Sequence, residues 1–197
     1  MPRRPRNPRG VIPVDEAALT GFRRVFADTS FIVNAVVESQ PNHDQANAFL
    51  GHLADSGATL VVSPLMDLEL PQALSHIVGR EAGRHRSAGL ADGRIRRRSA
   101  SLTRTASVRW TRYLDTIRWI RSPVEPAIAA APAIIFSTGL RSYDAAMAAT
   151  AIAHRCDAIA TFDVDVGRLH EDDMPVLVTD ARRARHVRRP RSSARRI

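Results

Sequence analysis

The chain has 197 residues, of which 44% are hydrophobic, and a formal net charge of +9. That length and composition suit one folded domain with a sizeable core and short extensions. No apolar run approaches the roughly 18 residues that a membrane-spanning helix needs, and the N-terminus lacks the apolar stretch of a signal peptide. The simplest expectation is therefore a cytoplasmic protein, and the lone Cys156, which cannot form an internal disulfide, agrees with that compartment.

The charge is distributed unevenly along the chain. All 29 basic residues are Arg, and residues 1–24, 80–112 and 180–197 carry six, ten and eight of them. Residues 25–79 carry six acids and no Arg, and residues 113–179 carry nine acids against five Arg. Arg-rich segments attract nucleic acid, because contact with phosphates releases counterions. An acidic body would not help a protein that only bound nucleic acid, but it would help one that used metal ions to act on it.

The first half of the chain alternates strand and helix patterns. Residues 1–20 are basic and Pro-rich, and they predict an arm with little regular structure. The apolar segment at residues 23–28 (RRVFAD) predicts a strand, and Thr29 and Ser30 are good N-cap residues for the helix pattern that follows. Further along, the patterns predict a helix over residues 44–55, a strand over residues 59–63 and a helix after Pro64.

Residues 80–112 interrupt this alternation, because they are polar and rich in Arg. They predict an Arg-rich excursion from the core, part helix and part mobile loop. Strands that alternate with helices indicate an α/β domain with a mainly parallel sheet, which we expect over residues 21–180, followed by a basic tail over residues 181–197. The remaining predicted elements are a strand over residues 116–121, a helix over 126–140, an Ala-rich helix over 143–154 capped by Ser142, and strands over 158–162 and 175–179.

Four acids are associated with these predicted elements. Asp28 ends the first strand and Asp163 directly follows the strand at residues 158–162, so both occupy strand carboxyl ends, where open parallel sheets gather functional groups. Glu69 lies one turn into the helix after the second strand, and Asp144 lies in the first turn of the Ala-rich helix. Each acid alone has an ordinary explanation, such as a solvated helical side chain or a favourable interaction with a helix dipole. The common placement of Asp28, Glu69 and Asp163 after separate strands, near one end of the sheet, predicts a cluster.

Clustered carboxylates suit hard cations such as Mg²⁺ and Mn²⁺, which prefer oxygen ligands. Two such ions about 4 Å apart can activate a water and stabilise the leaving oxygen of a phosphodiester. Other kinds of site fit the sequence poorly. Seven His residues are scattered without an HExxH motif, one Cys excludes a zinc–thiolate cluster, and neither a P-loop nor a GxSxG motif is present. Ser30 and Ser63 have no evident His–Asp partners, which argues against a hydrolytic triad.

Three segments of the sequence occur in an informative order: VFADTSFIVNAV, VVSPLMDLEL and LRSYDAAMAATAIAHRCDAIATFDVDV. Together they resemble the PIN-domain ribonucleases, particularly the VapC-type toxins of toxin–antitoxin pairs. The resemblance spans about residues 23–180. It implies a three-layer α/β/α sandwich around a mainly parallel sheet, with the nuclease domain over residues 21–180.

The resemblance also assigns roles to individual residues. Asp165 would be a more peripheral metal ligand, and Thr29 and Thr161 fall where the family uses hydroxyls to orient carboxylates or water. The main catalytic residues and metal ligands would be Asp28, Glu69, Asp144 and Asp163.

The activity that the resemblance implies is endonucleolytic cleavage of RNA with Mg²⁺ or Mn²⁺, by a protein that pairs with a cognate antitoxin and forms a homodimer. Arg side chains of the excursion, such as Arg96, Arg97 and Arg98, would hold flanking phosphates without reading bases. Two alternatives remain: a housekeeping RNA-processing PIN nuclease, and a non-catalytic RNA-binding module. A Mg²⁺-dependent phosphohydrolase ranks lower, because no second acid stands two residues after Asp28.

Overall fold

The computed structural model describes residues 11–17, 21–83, 92–163 and 176–179, which form six strands and seven helices. The strands are β1 (Val11–Pro13), β2 (Arg24–Ala27), β3 (Thr59–Val62), β4 (Arg118–Arg121), β5 (Ala158–Ala160) and β6 (Val176–Thr179). The helices are α1 (Val14–Ala17), α2 (Thr29–Val36), α3 (His43–Ser56), α4 (Met66–Glu81), α5 (Gly93–Leu114), α6 (Glu125–Thr138) and α7 (Ser142–Ala153).

The strands form one sheet in the order β1-β6-β5-β2-β3-β4, and every neighbouring pair is parallel. Central strand β2 is hydrogen-bonded to β3 on one side and to β5 on the other. Its residues Val25, Phe26 and Ala27 are all buried, as expected for a strand that is covered on both faces. The predicted α/β class with a parallel sheet is therefore confirmed.

Alternation along the strands divides the core into two layers. Val25 and Leu60 lie on the face that is covered by helices α1 to α5, and Phe26 and Val61 lie on the face that is covered by α6 and α7. Helices therefore cover both faces of the sheet, which confirms the three-layer α/β/α sandwich. Among the described helices, none is long and apolar enough to cross a membrane.

The expectation of an irregular N-terminal arm is wrong for residues 11–17. Residues Val11–Pro13 form β1, which extends the sheet by pairing in parallel with β6, and Val14–Ala17 form α1. The strand was missed because its backbone groups find their partners in a segment more than 160 residues later in the chain. Residues 1–10 and 18–20 of the expected arm lie outside the described residues, as do residues 181–197 of the expected C-terminal tail.

The expectation that the Arg-rich segment leaves the core is also wrong. Most of it forms the 22-residue helix α5, which packs against α4 and α2. Ile95, Ala106 and Trp110 are buried along one side of α5, although the helix as a whole is polar. A narrow apolar stripe of this kind is enough to dock a helix whose other faces are charged. Residues 84–91 of the predicted excursion lie outside the described part of the chain.

Two predicted helix caps also differ from the structure. The N-cap of α2 is Asp28 and not Thr29 or Ser30, because the Asp28 carboxylate accepts the backbone N–H of Ser30 at 3.3 Å. Ser142 is already the first residue of α7, so the N-cap position falls on Arg141, which makes no side-chain capping bond. Asp28 therefore lies at the junction between β2 and α2, where its side chain caps α2 in addition to its predicted role as a metal ligand.

Candidate active site

Asp28 is the most deeply buried acid of the site, with 3% of its surface exposed. It follows the carboxyl end of β2 and caps α2. Its Oδ2 atom accepts hydrogen bonds from the hydroxyls of Ser30 and Thr161, the latter at 2.7 Å. Burial raises the pKa of Asp28, and these hydrogen bonds act in the opposite direction. The carboxylate is thus held in one orientation at the end of the sheet.

Ser30 is a member of the site that the sequence did not single out. Its Oγ atom accepts the backbone N–H of Phe162 at 2.9 Å and lies 3.1 Å from Oγ1 of Thr161. The two hydroxyls therefore connect the β2–α2 junction to the segment after β5. A serine two residues after an Asp N-cap lies in the first turn of a helix, which is a local signal that could have drawn attention to it.

Asp163 follows β5 at the same end of the sheet as Asp28. Its backbone N–H donates to Oγ1 of Thr161 at 3.0 Å, and its side chain is exposed. Thr161 thus contacts the backbone of one predicted metal ligand and the carboxylate of another. The peripheral ligand Asp165 lies outside the described residues.

Glu69 reaches the same region from the first turn of α4, which follows β3. Its Oε2 atom accepts a hydrogen bond of 2.6 Å from the hydroxyl of Thr29, the first residue of α2. Thr29 and Thr161 therefore each bond a different predicted metal ligand. Asp67, two residues from Glu69, instead forms an ion pair with Arg121 on β4.

Asp144 lies in the first turn of α7, in the helix layer on the opposite face of the sheet from α2 and α4. It is half-buried and close enough to Glu69 to affect its ionisation. Burial raises the pKa of Glu69 to about 7, and the negative charges of three carboxylates act in the same direction: Asp28, Asp144 and Asp163. The four predicted acids therefore share one electrostatic environment.

The donor set of this site has the right chemistry for a hard divalent cation, because it consists of carboxylate oxygens. The hydrogen bonds that described residues donate to Asp28 and Glu69 end on Oδ2 and Oε2, so the other oxygen of each carboxylate can face a cation. Within the described residues, no group of three or more His, Cys, Asp or Glu side chains is arranged to hold a metal ion. A bound cation would therefore require these acids to come closer together than they lie in the structure.

The predicted RNA-binding residues lie on α5 and not among these acids. Arg96, Arg97 and Arg98 are all exposed near the start of the helix. Arg98 forms an ion pair of 2.6 Å with Glu81 at the end of α4, which ties the two helices together. The structure thus brings the four acids into one region and places the basic triplet on a neighbouring helix.

Comparison with known proteins agrees with the fold described above. Residues 25–172 match the family model described as PIN domain. A similar solved structure is the crystal structure of VapBC2 from Rickettsia felis bound to a DNA fragment from their promoter. It is 15% identical, the match covers 79% of this chain and 98% of that chain, and the TM-score is 0.50, so it supports the fold alone. No curated protein sequence matches the chain.

The family match covers about three-quarters of the chain and includes all four acids. PIN domains are generally nucleases, and those nucleases generally use divalent metals. The chain belongs to the PIN domain family.

Proposed function

We propose that the protein is a divalent-metal-dependent endoribonuclease and the toxin of a toxin–antitoxin pair, acting in the cytoplasm as a homodimer. The observation that carries the nuclease proposal is the placement of four acids near one end of the parallel sheet, where Asp28, Asp144 and Asp163 lie close enough to Glu69 to add to the effect of burial on its pKa. Four acids that repel one another near the end of a parallel sheet are costly for a protein to maintain without a cation. The toxin assignment draws on the sequence resemblance to VapC-type toxins and on the similarity of fold to the VapBC2 structure.

The residues of the chain have separate tasks in this proposal. Ser30 and Thr161 orient the carboxylate of Asp28, and Thr29 orients that of Glu69. Orientation matters because a ligand that is already in place loses little conformational freedom when it binds. Bound Mg²⁺ or Mn²⁺ would neutralise the cluster, lower the pKa of a water and stabilise charge on the phosphate. The exposed Asp163 and the half-buried Asp144 would complete the ligand set.

Binding of the RNA strand in this proposal depends on basic side chains outside the acidic site. Arg96 and Arg97 on α5 are exposed and can bind phosphates, which position a strand without reading its sequence. The acids themselves repel a polyanion, so a basic surface close by is needed for binding at moderate salt. A strand would therefore be attracted by α5 and cut at the sheet end.

The test is cleavage of a defined single-stranded RNA by the purified protein in Mg²⁺, in Mn²⁺ and in EDTA, with both new ends mapped. We expect internal cuts with either metal and none in EDTA. Asp144→Asn should abolish the cuts without changing the circular dichroism spectrum. RNA binding without cleavage in any metal would favour the non-catalytic alternative, and cleavage that survives in EDTA would contradict the proposed chemistry.

The toxin assignment has its own test in cells. Expression of the chain should arrest growth, and co-expression of its cognate antitoxin, which the proposal expects to be a small protein encoded beside it, should restore growth. The Asp144→Asn variant should not arrest growth, although it should still bind that small protein. Normal growth during high expression of an active nuclease would favour a housekeeping role in RNA processing.

A further inference from the structure

A groove of about 810 Å³ opens beside the acidic site, between α2 and α4. Ser30 and Asp163 line the end of this groove that is nearest the acids, and Arg80 and Glu81 line it at the end of α4. Because a nucleic-acid strand must continue beyond the phosphate that is cut, a groove that joins the site directly is a natural path for the strand.

One face of α4 connects the acids to the far end of this groove. Glu69, Ala73, His76 and Arg80 follow one another at intervals of four, three and four residues, which places them on the same side of a helix. Eleven residues of helix correspond to about 16 Å along its axis. Arg80 therefore lies several nucleotides away from a phosphate held at Glu69.

Arg80 has no acidic partner among the described residues, unlike three other arginines near α4. Arg98 pairs with Glu81 at 2.6 Å and Arg109 pairs with Glu38 at 2.7 Å. Arg121 likewise pairs with an acid, Asp67, on the other side of α4. The exposed guanidinium of Arg80 thus remains available to bind an anion from outside, and phosphate is a good match for its planar array of donors.

The walls of the groove also offer uncharged hydrogen-bonding groups. The side-chain amides of Gln40 and Asn42 line it and are half-buried, and neither makes a side-chain hydrogen bond to a described residue. Asn34 differs, because its amide already bonds the backbone of Ser30 and of Asn42. An amide can donate and accept, so Gln40 and Asn42 can bond the edge of an unpaired base or a 2′-hydroxyl. A duplex would keep its base edges out of their reach.

We propose that this groove binds single-stranded RNA on one side of the cut and that Arg80 holds a phosphate of that strand. Gln40 and Asn42 face the nucleotides between Arg80 and the cut. The proposal rests on the proposed nuclease function and adds a binding subsite to it. The guanidinium of Arg80 offsets the repulsion between the strand and Asp163, and it thereby fixes the position of the strand relative to the acids.

The experiment uses single-stranded RNA oligonucleotides in which one phosphate at a time is replaced by a neutral methylphosphonate. For the wild-type protein, we expect kcat/KM to fall about five- to tenfold at one position that lies several nucleotides from the cut. Arg80→Ala should lower kcat/KM for the unmodified strand by a similar factor. In Arg80→Ala, neutralising the phosphate at that same position should lower kcat/KM no further, because the interaction is already lost.

Two variants serve as controls. Arg80→Lys keeps the charge and should retain part of the position-specific effect. Arg23→Ala removes an exposed arginine just before β2, at the end of the sheet opposite Asp28, and should leave both kcat/KM and the interference pattern unchanged. A merely structural role for Arg80 would lower activity without erasing the effect at a single phosphate.

The proposal is overturned if each methylphosphonate position changes kcat/KM by the same factor in Arg80→Ala as in the wild type. It is also overturned if Arg80→Ala weakens the binding of a protein partner but leaves RNA cleavage unaltered. If the wild-type protein cuts no RNA, the proposed function fails and the groove is tested separately. Fluorescence anisotropy in EDTA would then compare the affinity of the wild type and Arg80→Ala for the same oligonucleotides. Equal affinities would overturn the subsite as well.

Discussion

The acidic site and helix α5 are both rich in charge of one sign, but they differ in how far that charge is exposed to solvent. At the site, Asp28 is buried and Glu69 is half-buried, so burial raises the pKa of both, and the poorly screened charges of neighbouring carboxylates act in the same direction. On α5, Arg96 and Arg97 are exposed, so water and salt screen their repulsion. Electrostatic strain is thus concentrated where a cation would relieve it, while the basic helix attracts anions from a distance.

The most direct test of the difference between the two regions is Asp28→Asn at the acidic site. The change removes one charge and a predicted ligand, while the amide oxygen can still accept from Ser30 and Thr161. We expect the rate of RNA cleavage to fall about a thousandfold or more, which corresponds to about 4 kcal/mol in the barrier. Asp67→Asn is the matched control, because Asp67 pairs with Arg121 away from the site, and it should keep near-normal activity. Robust cleavage by Asp28→Asn would remove Asp28 from the site.

The role of α5 as a packed helix is tested by Trp110→Ala. Trp110 is 3% exposed and lies in the core against α4 and α2, so its removal should lower the free energy of unfolding by about 3 kcal/mol or more. Val108→Ala, at a position that is 55% exposed on the same helix, should change it by less than about 0.5 kcal/mol. Urea denaturation measures both. Equal small effects would mean that the helix does not belong to the core.

Trp110→Phe adds a finer comparison at this position. The indole N–H of Trp110 is buried and has no hydrogen-bond partner among the described residues. Because Phe keeps most of the apolar surface and removes the unsatisfied donor, Trp110→Phe should be much less destabilising than Trp110→Ala. The same denaturation experiment distinguishes the two variants.

A third prediction concerns pH. The folded chain holds a proton on Glu69 up to a pKa of about 7, whereas the ordinary value is 4.5. Between these values the folded state binds more protons than the unfolded state, so the stability of the metal-free protein should fall as pH rises from about 4.5 to about 7. The raised pKa of Asp28 acts in the same direction.

The measurement is the melting temperature in EDTA across this pH range. Glu69→Gln should reduce the fall of the melting temperature with rising pH, because the amide does not titrate. Addition of Mg²⁺ or Mn²⁺ at pH 8 should raise the melting temperature of the wild type more than that of Glu69→Gln. A metal-free melting temperature that rises between pH 5 and pH 7 would contradict the assigned environment of Glu69.

The smallest expected effect belongs to the exposed arginines of α5. Arg97→Ala should weaken RNA binding only a few-fold at low salt, and the slope of log affinity against log salt should decrease by less than about 1. Arg98→Ala should have an even smaller effect, since that side chain already pairs with Glu81. Fluorescence anisotropy at several salt concentrations measures both. Salt-independent loss in either variant would indicate a structural role instead of phosphate binding.

Much of the fold could be predicted because its signals are local. Apolar runs such as those around Val25 and Leu60 indicated buried parallel strands, and helical spacing indicated the helices between them. The acids Asp28 and Glu69 could be named for the same reason, since each stands at a fixed position relative to a strand. The family resemblance added the expectation that Asp144 belongs with them.

The amino-acid sequence by itself therefore determined the order of the elements and the identity of the acids, because spacing along the chain controls both. Only the tertiary structure decided which hydroxyl contacts which carboxylate, since Ser30 and Thr161 are separated by 131 residues. It also decided that β1 joins the sheet, that α5 packs on the core and that Arg80 faces a groove. These features depend on contacts between segments that are distant in the chain. Which segments come into contact is determined by the packing of the sheet and helices and not by any local pattern.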